Sequence, residues 1–307
     1  MKEGDEHVLA ANTRGTSRRE ALHQVQLAVS SYKAAAAAKP NAGEPWFRLG
    51  RIIHSFFLEC EPSPAMSGLP PPPKTCPDSK TPPFDKVHAE EAIGYWNEFE
   101  KRSPLDPRLS IVAGENEILF RRAILHTRLA TKSHLEAAAS DYEKILARVD
   151  ASDGVSENTI GNLAETYMML GRLEDSIEMY REALRGASDT STWYGFAVAL
   201  DRDERAQQAL EVIQSLGRAQ REQFHLKIIR GDTFFVPEGE KYYYFALSDE
   251  AFGFDDEAID NWKRFIASGA HPQFQPRAKA HLEALLVKKK RKQLPIPFEQ
   301  PWRGILR

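Results

Sequence analysis

Three observations predict an all-α array of helical hairpins in this 307-residue chain. Trp46, Leu49, Gly50 and Ile53 read W-x-x-L-G-x-x-I, which puts the apolar residues three and four apart on one helical stripe and lets a neighbouring helix approach at Gly50. The same spacing returns downstream, most regularly where Leu163, Ala164, Tyr167 and Gly171 are followed by Leu173, Ser176, Ile177, Tyr180 and Ala183. Helix signals fall between these stripes, such as Ser17 with Glu20 as a capping box and Pro40 as a stop.

Taken in order, residues 1–16 are polar, carry Gly4 and Gly15, and show no sustained periodicity, so they read as a frayed lead-in dispensable to the fold. A helix follows the Ser17 cap, with Ala28, Tyr32 and Ala35 on its core side, and the Trp46 helix comes next. Residues 61–83 contain Pro62, Pro64 and Pro70 to Pro73 and form a non-helical insertion biased towards polyproline II, either a stiff loop or a ligand for an aromatic groove. Phe84-Asp85 leads into a helix carrying Ala92, Trp96 and Phe99, closed by Pro104. Ala113 and Gly114 open a further unit whose second helix carries Ala138, Tyr142 and Ile145.

After the most regular unit, Trp193, Phe196, Ala197, Leu200, Ala209, Ile213 and Leu216 give the next frame. Tyr242, Phe245, Ala246, Gly253, Ala258, Trp262 and Phe265 give another, and all these positions are expected in the core. The stretch from Arg230 to Glu240 breaks the pattern and reads as a short extended link; its Arg230-Gly231-Asp232 tripeptide is discounted as an adhesion motif. Residues 273–292 form a terminal helix with Ala280, Leu282, Leu285 and Leu286 at helical spacing. It ends in Lys288 to Lys292, a basic run suited to the helix C-terminus or to an anionic partner. Residues 293–307, with Phe298, Trp302 and Ile305 among three prolines, form an apolar tail that folds back or docks elsewhere.

The W-x-x-L-G-x-x-I signature and its recurrences resemble the tetratricopeptide repeat (TPR) family. The resemblance implies a right-handed helical-hairpin solenoid, a TPR-like superhelix, over residues 17–272, with the Pro-rich insertion 61–83 inside it and a C-terminal capping helix after it. It also implies a peptide-binding groove lined by the first helix of each hairpin. Carried over by position, the groove candidates are Phe47, Arg48, Arg51 and His54; Asn158, Asn162, Glu165 and Met168; and Tyr243, Tyr244, Leu247 and Glu250. Tyr243 and Tyr244 stand out because the spacing assigns Tyr242 and Phe245 to the core. The lysine, asparagine and arginine set of the chaperone-binding branch is absent: Asn158 and Asn162 fit it, but the matching lysines are missing.

With 42% hydrophobic and 28% charged residues and a formal net charge of -3, the composition indicates neither disorder nor a general nucleic-acid surface. No apolar run is long enough to span a membrane. Met1 to Glu6 lacks the apolar core of a secretory signal, so any leader lies outside this sequence. Cys60 and Cys76 bracket the Pro-rich segment; a disulfide between them would stabilise by roughly 3 kcal/mol and would need an oxidising compartment. The alternatives are two reduced thiols, or a zinc site with His54 and His88, for which no C-x-x-C spacing exists.

No H-E-x-x-H, phosphate-loop or G-x-S-x-G motif occurs, and carboxylate pairs such as Glu90-Glu91 and Asp255-Asp256 sit where helix starts favour negative charge. The expected function is therefore a non-enzymatic scaffold or adaptor in a multi-protein complex, periplasmic or envelope-associated if the cysteines pair, with no cofactor or metal. The other readings are a cytoplasmic peptide-binding regulator or co-chaperone and, last, an enzyme on a helical scaffold.

Overall fold

In the computed structural model, residues 1–13, 15–58, 84–109, 118–148, 157–185, 190–230 and 235–293 are described. They are helical throughout, with no strand among them. The chain divides into two compact units, Met1–Gly186 and Ala187–Arg307.

The first unit contains α1 (Lys2–Ala11), α2 (Arg18–Ala38), α3 (Glu44–Ile53), α4 (Lys86–Arg102), α5 (Ile118–Leu129), α6 (Lys132–Arg148), α7 (Glu157–Met169) and α8 (Leu173–Ala183). Consecutive helices pack as pairs, α1 on α2, α3 on α4, α5 on α6 and α7 on α8. Gly50 does what its place in the motif requires: a Cβ there would overlap the indole of Trp96, so only glycine lets α3 and α4 close to this distance. Phe47 packs at a tilt against Phe99 beside that contact, ring centroids 5.4 Å apart, and Leu49, Ala92, Trp96 and Phe99 are wholly buried. Burying a side chain of this size stabilises by roughly 2–3 kcal/mol, so the interlock is a principal anchor of the unit.

The lead-in expected at residues 1–16 is instead the helix α1. Its Gly4 lies so close to Tyr32 that a Cβ would meet the ring, Val8 and Ala11 are buried, and the Tyr32 hydroxyl donates to Asp5 at 2.7 Å. The contacts that order it come from α2, 27 residues away, and leave no periodic stripe in so short a segment. At the start of α2 the Glu20 N–H donates to the Ser17 hydroxyl at 3.2 Å, as the capping signal predicts.

The second unit contains α9 (Thr190–Arg202), α10 (Ala206–Leu216), α11 (Arg218–Arg230), α12 (Lys241–Ala251), α13 (Asp255–Ser268) and α14 (Gln275–Gln293). Here α9 packs on α10, α12 on α13 and α13 on α14, so the helix predicted at 273–292 is present. The sequence reading has no counterpart for α11, which buries only Phe224 and Ile228 along an otherwise charged segment.

Three hairpins share one turn. Gly171, Glu204 and Gly253 each take positive φ, at 78°, 62° and 76°. The N–H of the next residue reaches five residues back: Arg172 to Tyr167, Arg205 to Leu200 and Phe254 to Asp249, each at 2.9 Å. This satisfies the open carbonyls of the first helix while reversing the chain. Five residues past the left-handed position, Ser176, Ala209 and Ala258 are all fully buried, so each second helix enters the core on a small residue. Ala130, at φ 57°, provides a related turn between α5 and α6.

Core assignments from spacing hold for Ala92, Trp96, Phe99, Leu163, Ile177, Ala209, Ile213, Ala258, Trp262 and Phe265. They fail by one residue in three first helices: Phe47, Tyr194 and Tyr243 are buried, while Trp46, Trp193, Phe196, Tyr242 and Phe245 are only partly so. The Pro-rich insertion 61–83, Cys60, Cys76, Ala113, Gly114 and the tail 294–307 lie outside the described residues.

Candidate functional site

The groove candidates occupy α3, α7 and α12, with His54 opening the π-helical turn His54–Leu58 that continues α3, and the structure divides them by accessibility. Asn158 is exposed; Arg48, Arg51, Asn162, Glu165 and Glu250 are half-buried. Phe47, His54, Met168, Tyr243, Tyr244 and Leu247 are buried. These six are packing residues as placed, a correction to their expected position on an open face.

On α3, Arg48 pairs with Asp5 of α1 and with Glu44 one turn back, at 3.0 Å to the latter. Arg51 lies one turn further on. Burial, with the positive charges of Arg48 and Arg121, brings its guanidinium down to about 10. His54 packs at a tilt against Trp96, ring centroids 5.3 Å apart, and burial, followed by the charges of Arg121 and Arg128, holds it well below the usual histidine range. This end of the first unit therefore gathers cations around a neutral imidazole.

On α7 the polar face is tied to its neighbours. Glu165 accepts from the Tyr180 hydroxyl of α8 at 2.7 Å, and the Asn162 backbone carbonyl accepts from the Thr166 hydroxyl one turn on at 2.7 Å. Asn158, a full turn before Asn162, is left facing solvent.

On α12 the expected open face is filled by the unit's own side chains. Tyr244 packs against Phe224 of α11 at 6.2 Å and against Phe235 at 4.9 Å. Tyr243 packs edge-on against Trp262 and Phe265 of α13, at 4.7 and 5.0 Å. Its hydroxyl donates to Asp201 of α9 at 2.6 Å. That fully buried carboxylate also accepts from Arg277 at 2.7 Å and lies 2.9 Å from His281 Nε2, both on α14.

His281 Nδ1 in turn lies 2.9 Å from Glu250, which accepts the Trp262 indole N–H at 3.2 Å. Burial pushes the Asp201 carboxyl up, but hydrogen bonds and charge from His281 and Arg277 outweigh it and hold the group at about 2. Burial pushes His281 down, and Asp201 with Glu250 reverses this, raising it to about 9. Beside this network the buried Arg202 pairs with Glu240 at 2.5 Å and lies over the rings of Tyr243 and Phe274.

Both carboxylate oxygens of Asp201 are engaged, with Tyr243, Arg277 and His281, which fixes α14 to α9 and α12. Its chemistry is that of a clamp. Sequence reasoning missed it because Asp201 and His281 stand 80 residues apart and neither belongs to the apolar pattern. Among the described residues no group of three or more His, Cys, Asp or Glu is placed to hold a metal ion, and no helix is long and apolar enough to cross a membrane.

The surface offers one further feature that the spacing did not mark. Leu226 and Ile229 of α11 are 47% and 74% exposed, on a helix whose remaining face carries Lys227 and Arg230. No known family model matches the chain, and no curated protein gives a significant match.

Proposed function

We propose that this protein is a non-catalytic adaptor of the tetratricopeptide type, built of repeated helical hairpins and holding other proteins in a multi-protein complex. The observation that carries the reading is the recurrence of one turn at Gly171, Glu204 and Gly253, each followed by a small buried residue on the second helix. Such repetition is characteristic of stacked hairpin repeats, whose first helices present a binding face. In this reading Arg48, Arg51, Asn158, Asn162, Glu165 and Glu250 are the candidates that meet a partner, and the buried Phe47, His54, Met168, Tyr243, Tyr244 and Leu247 support them from beneath.

An envelope-associated or periplasmic location is the part of the proposal that rests on Cys60 and Cys76. Thiol labelling of the native protein tests it. Labelling only after reduction supports an oxidising compartment, whereas two reactive thiols would instead favour the cytoplasmic peptide-binding regulator. The binding face is tested with Asn158→Arg, an exposed substitution that leaves the core intact. Loss of native partners from the captured full-length protein is expected, and an unchanged set would remove α7 from the face.

A further inference from the structure

We propose that His126, His134 and Glu90 form a clasp between α4, α5 and α6 that stays closed while the two rings share at most one positive charge and opens when both are protonated. The clasp joins the last turn of α5 to the first turn of α6, across the left-handed turn at Ala130. His126 Nδ1 lies 2.7 Å from His134 Nδ1, with the rings 5.0 Å apart. On the far side of the second ring, His134 Nε2 lies 3.0 Å from Glu90 of α4.

Two ring nitrogens facing each other at this distance can hold one proton between them, and only one. When both rings are neutral, Glu90 takes the N–H of His134 Nε2. That leaves His134 Nδ1 bare to accept from His126. When one charge is added, His134 carries both of its protons, donating one to His126 and the other to Glu90. Both states keep every hydrogen bond, so losing a proton does not break the clasp. A second charge puts two N–H groups nose to nose with no acceptor between them.

The surroundings oppose that second charge. His126 is only 7% exposed, and Arg122 of α5 stands one turn before it. Arg122 is held in place by Asp141 of α6 and by Glu100 and Asn97 of α4, so its charge stays near the ring. His134 lies in the first turn of α6, with Glu90 of α4 against its Nε2 at 3.0 Å. Burial first, then His134 and Arg122, take His126 down to about 3. An opened ring takes up its proton near the ordinary histidine value of about 6.5. Between these limits the open form binds one proton more than the closed form, and acid drives opening by about tenfold per pH unit.

Amide hydrogen exchange on the full-length protein reads the clasp at two bonds beside it, the Ala130 N–H to His126 and the Leu135 N–H to Thr131. After division by intrinsic rates, exchange there is expected to rise about fiftyfold from pH ~6.5 to ~4.5. In His126→Gln, whose amide oxygen still accepts from His134 and takes no proton, the rise should fall below about threefold. No rise in the native protein, or the same rise in His126→Gln, would overturn the proposal. So would equal acceleration at the Ala209 and Ala258 amides, because opening would then be global. Ring nitrogen NMR gives an independent reading: both imidazoles titrating separately near pH ~6.5 would also overturn it.

Discussion

His126 in the first unit and His281 in the second are equally hidden, at 7% and 6% exposure, yet they carry opposite charge states at neutral pH. His126 faces another imidazole and an arginine and is held down to about 3. His281 sits between Asp201 and Glu250, stacks at 4.8 Å on Trp262, and is raised to about 9. Burial alone works against charge in both places, so the difference is made by what each ring touches. His225 and His271 fall on the neutral side with His126: burial, and then Arg221 or Arg202 respectively, takes them to about 4 and about 3.

The largest effect should come from removing the anion that charges His281. Asp201→Ala leaves Arg277, His281 and the Tyr243 hydroxyl without their shared acceptor, and breaking a buried ionic group of this kind costs about 3–5 kcal/mol. Urea unfolding should show that loss, with α14 the first element to lose exchange protection.

The next effect is one of sign. Because the folded value of His281 is above that of the unfolded chain, its contribution is fully present below about pH 6.5 and disappears as pH rises through about 9. His126, His225 and His271 have depressed folded values, so their contribution is present above about pH 6.5 and is lost as pH falls towards about 3 to 4. His281→Gln should therefore remove on the order of 2–3 kcal/mol at neutral pH and flatten the alkaline side of the stability profile between about pH 6.5 and 9. A variant that flattened the acid side instead would reverse the charge assignment.

A smaller effect isolates packing from charge. Gly50→Ala drives a methyl group into the Trp96 indole and should cost about 1–3 kcal/mol at every pH, which would be read as a parallel displacement of the whole profile. Smallest of all, Glu204→Gly relieves a side chain at φ 62° and should raise stability by up to about 1 kcal/mol in thermal unfolding.

The helical pairing was legible because it rests on local spacing. Gly50 and Trp96 both stand in the apolar pattern, and their meeting is what the motif implies. Gly171 and Gly253 mark their turns openly, while Glu204 makes the same turn with no glycine to signal it. The α12 face was misassigned by one residue. A short 3-10 turn over Glu238–Glu240 precedes the helix, and the residues that fix its rotation, Asp201, Trp262 and Phe265, lie on other helices. The candidate site was therefore legible as a set of helices but only partly as a set of exposed side chains. Asn158 kept its solvent-facing place, whereas Tyr243 gained a partner 42 residues away that periodicity does not encode. The ionic clamp was invisible for the same reason.

The adaptor reading turns on whether the first-helix face meets a partner and the second-helix face does not. A photo-reactive group at Asn158 of α7, compared in native cells with one at the exposed Glu178 of α8, tests this directly. The account predicts that the same few proteins are joined repeatedly at position 158 and are absent at position 178. Identical products from both positions, or none from position 158, would contradict it.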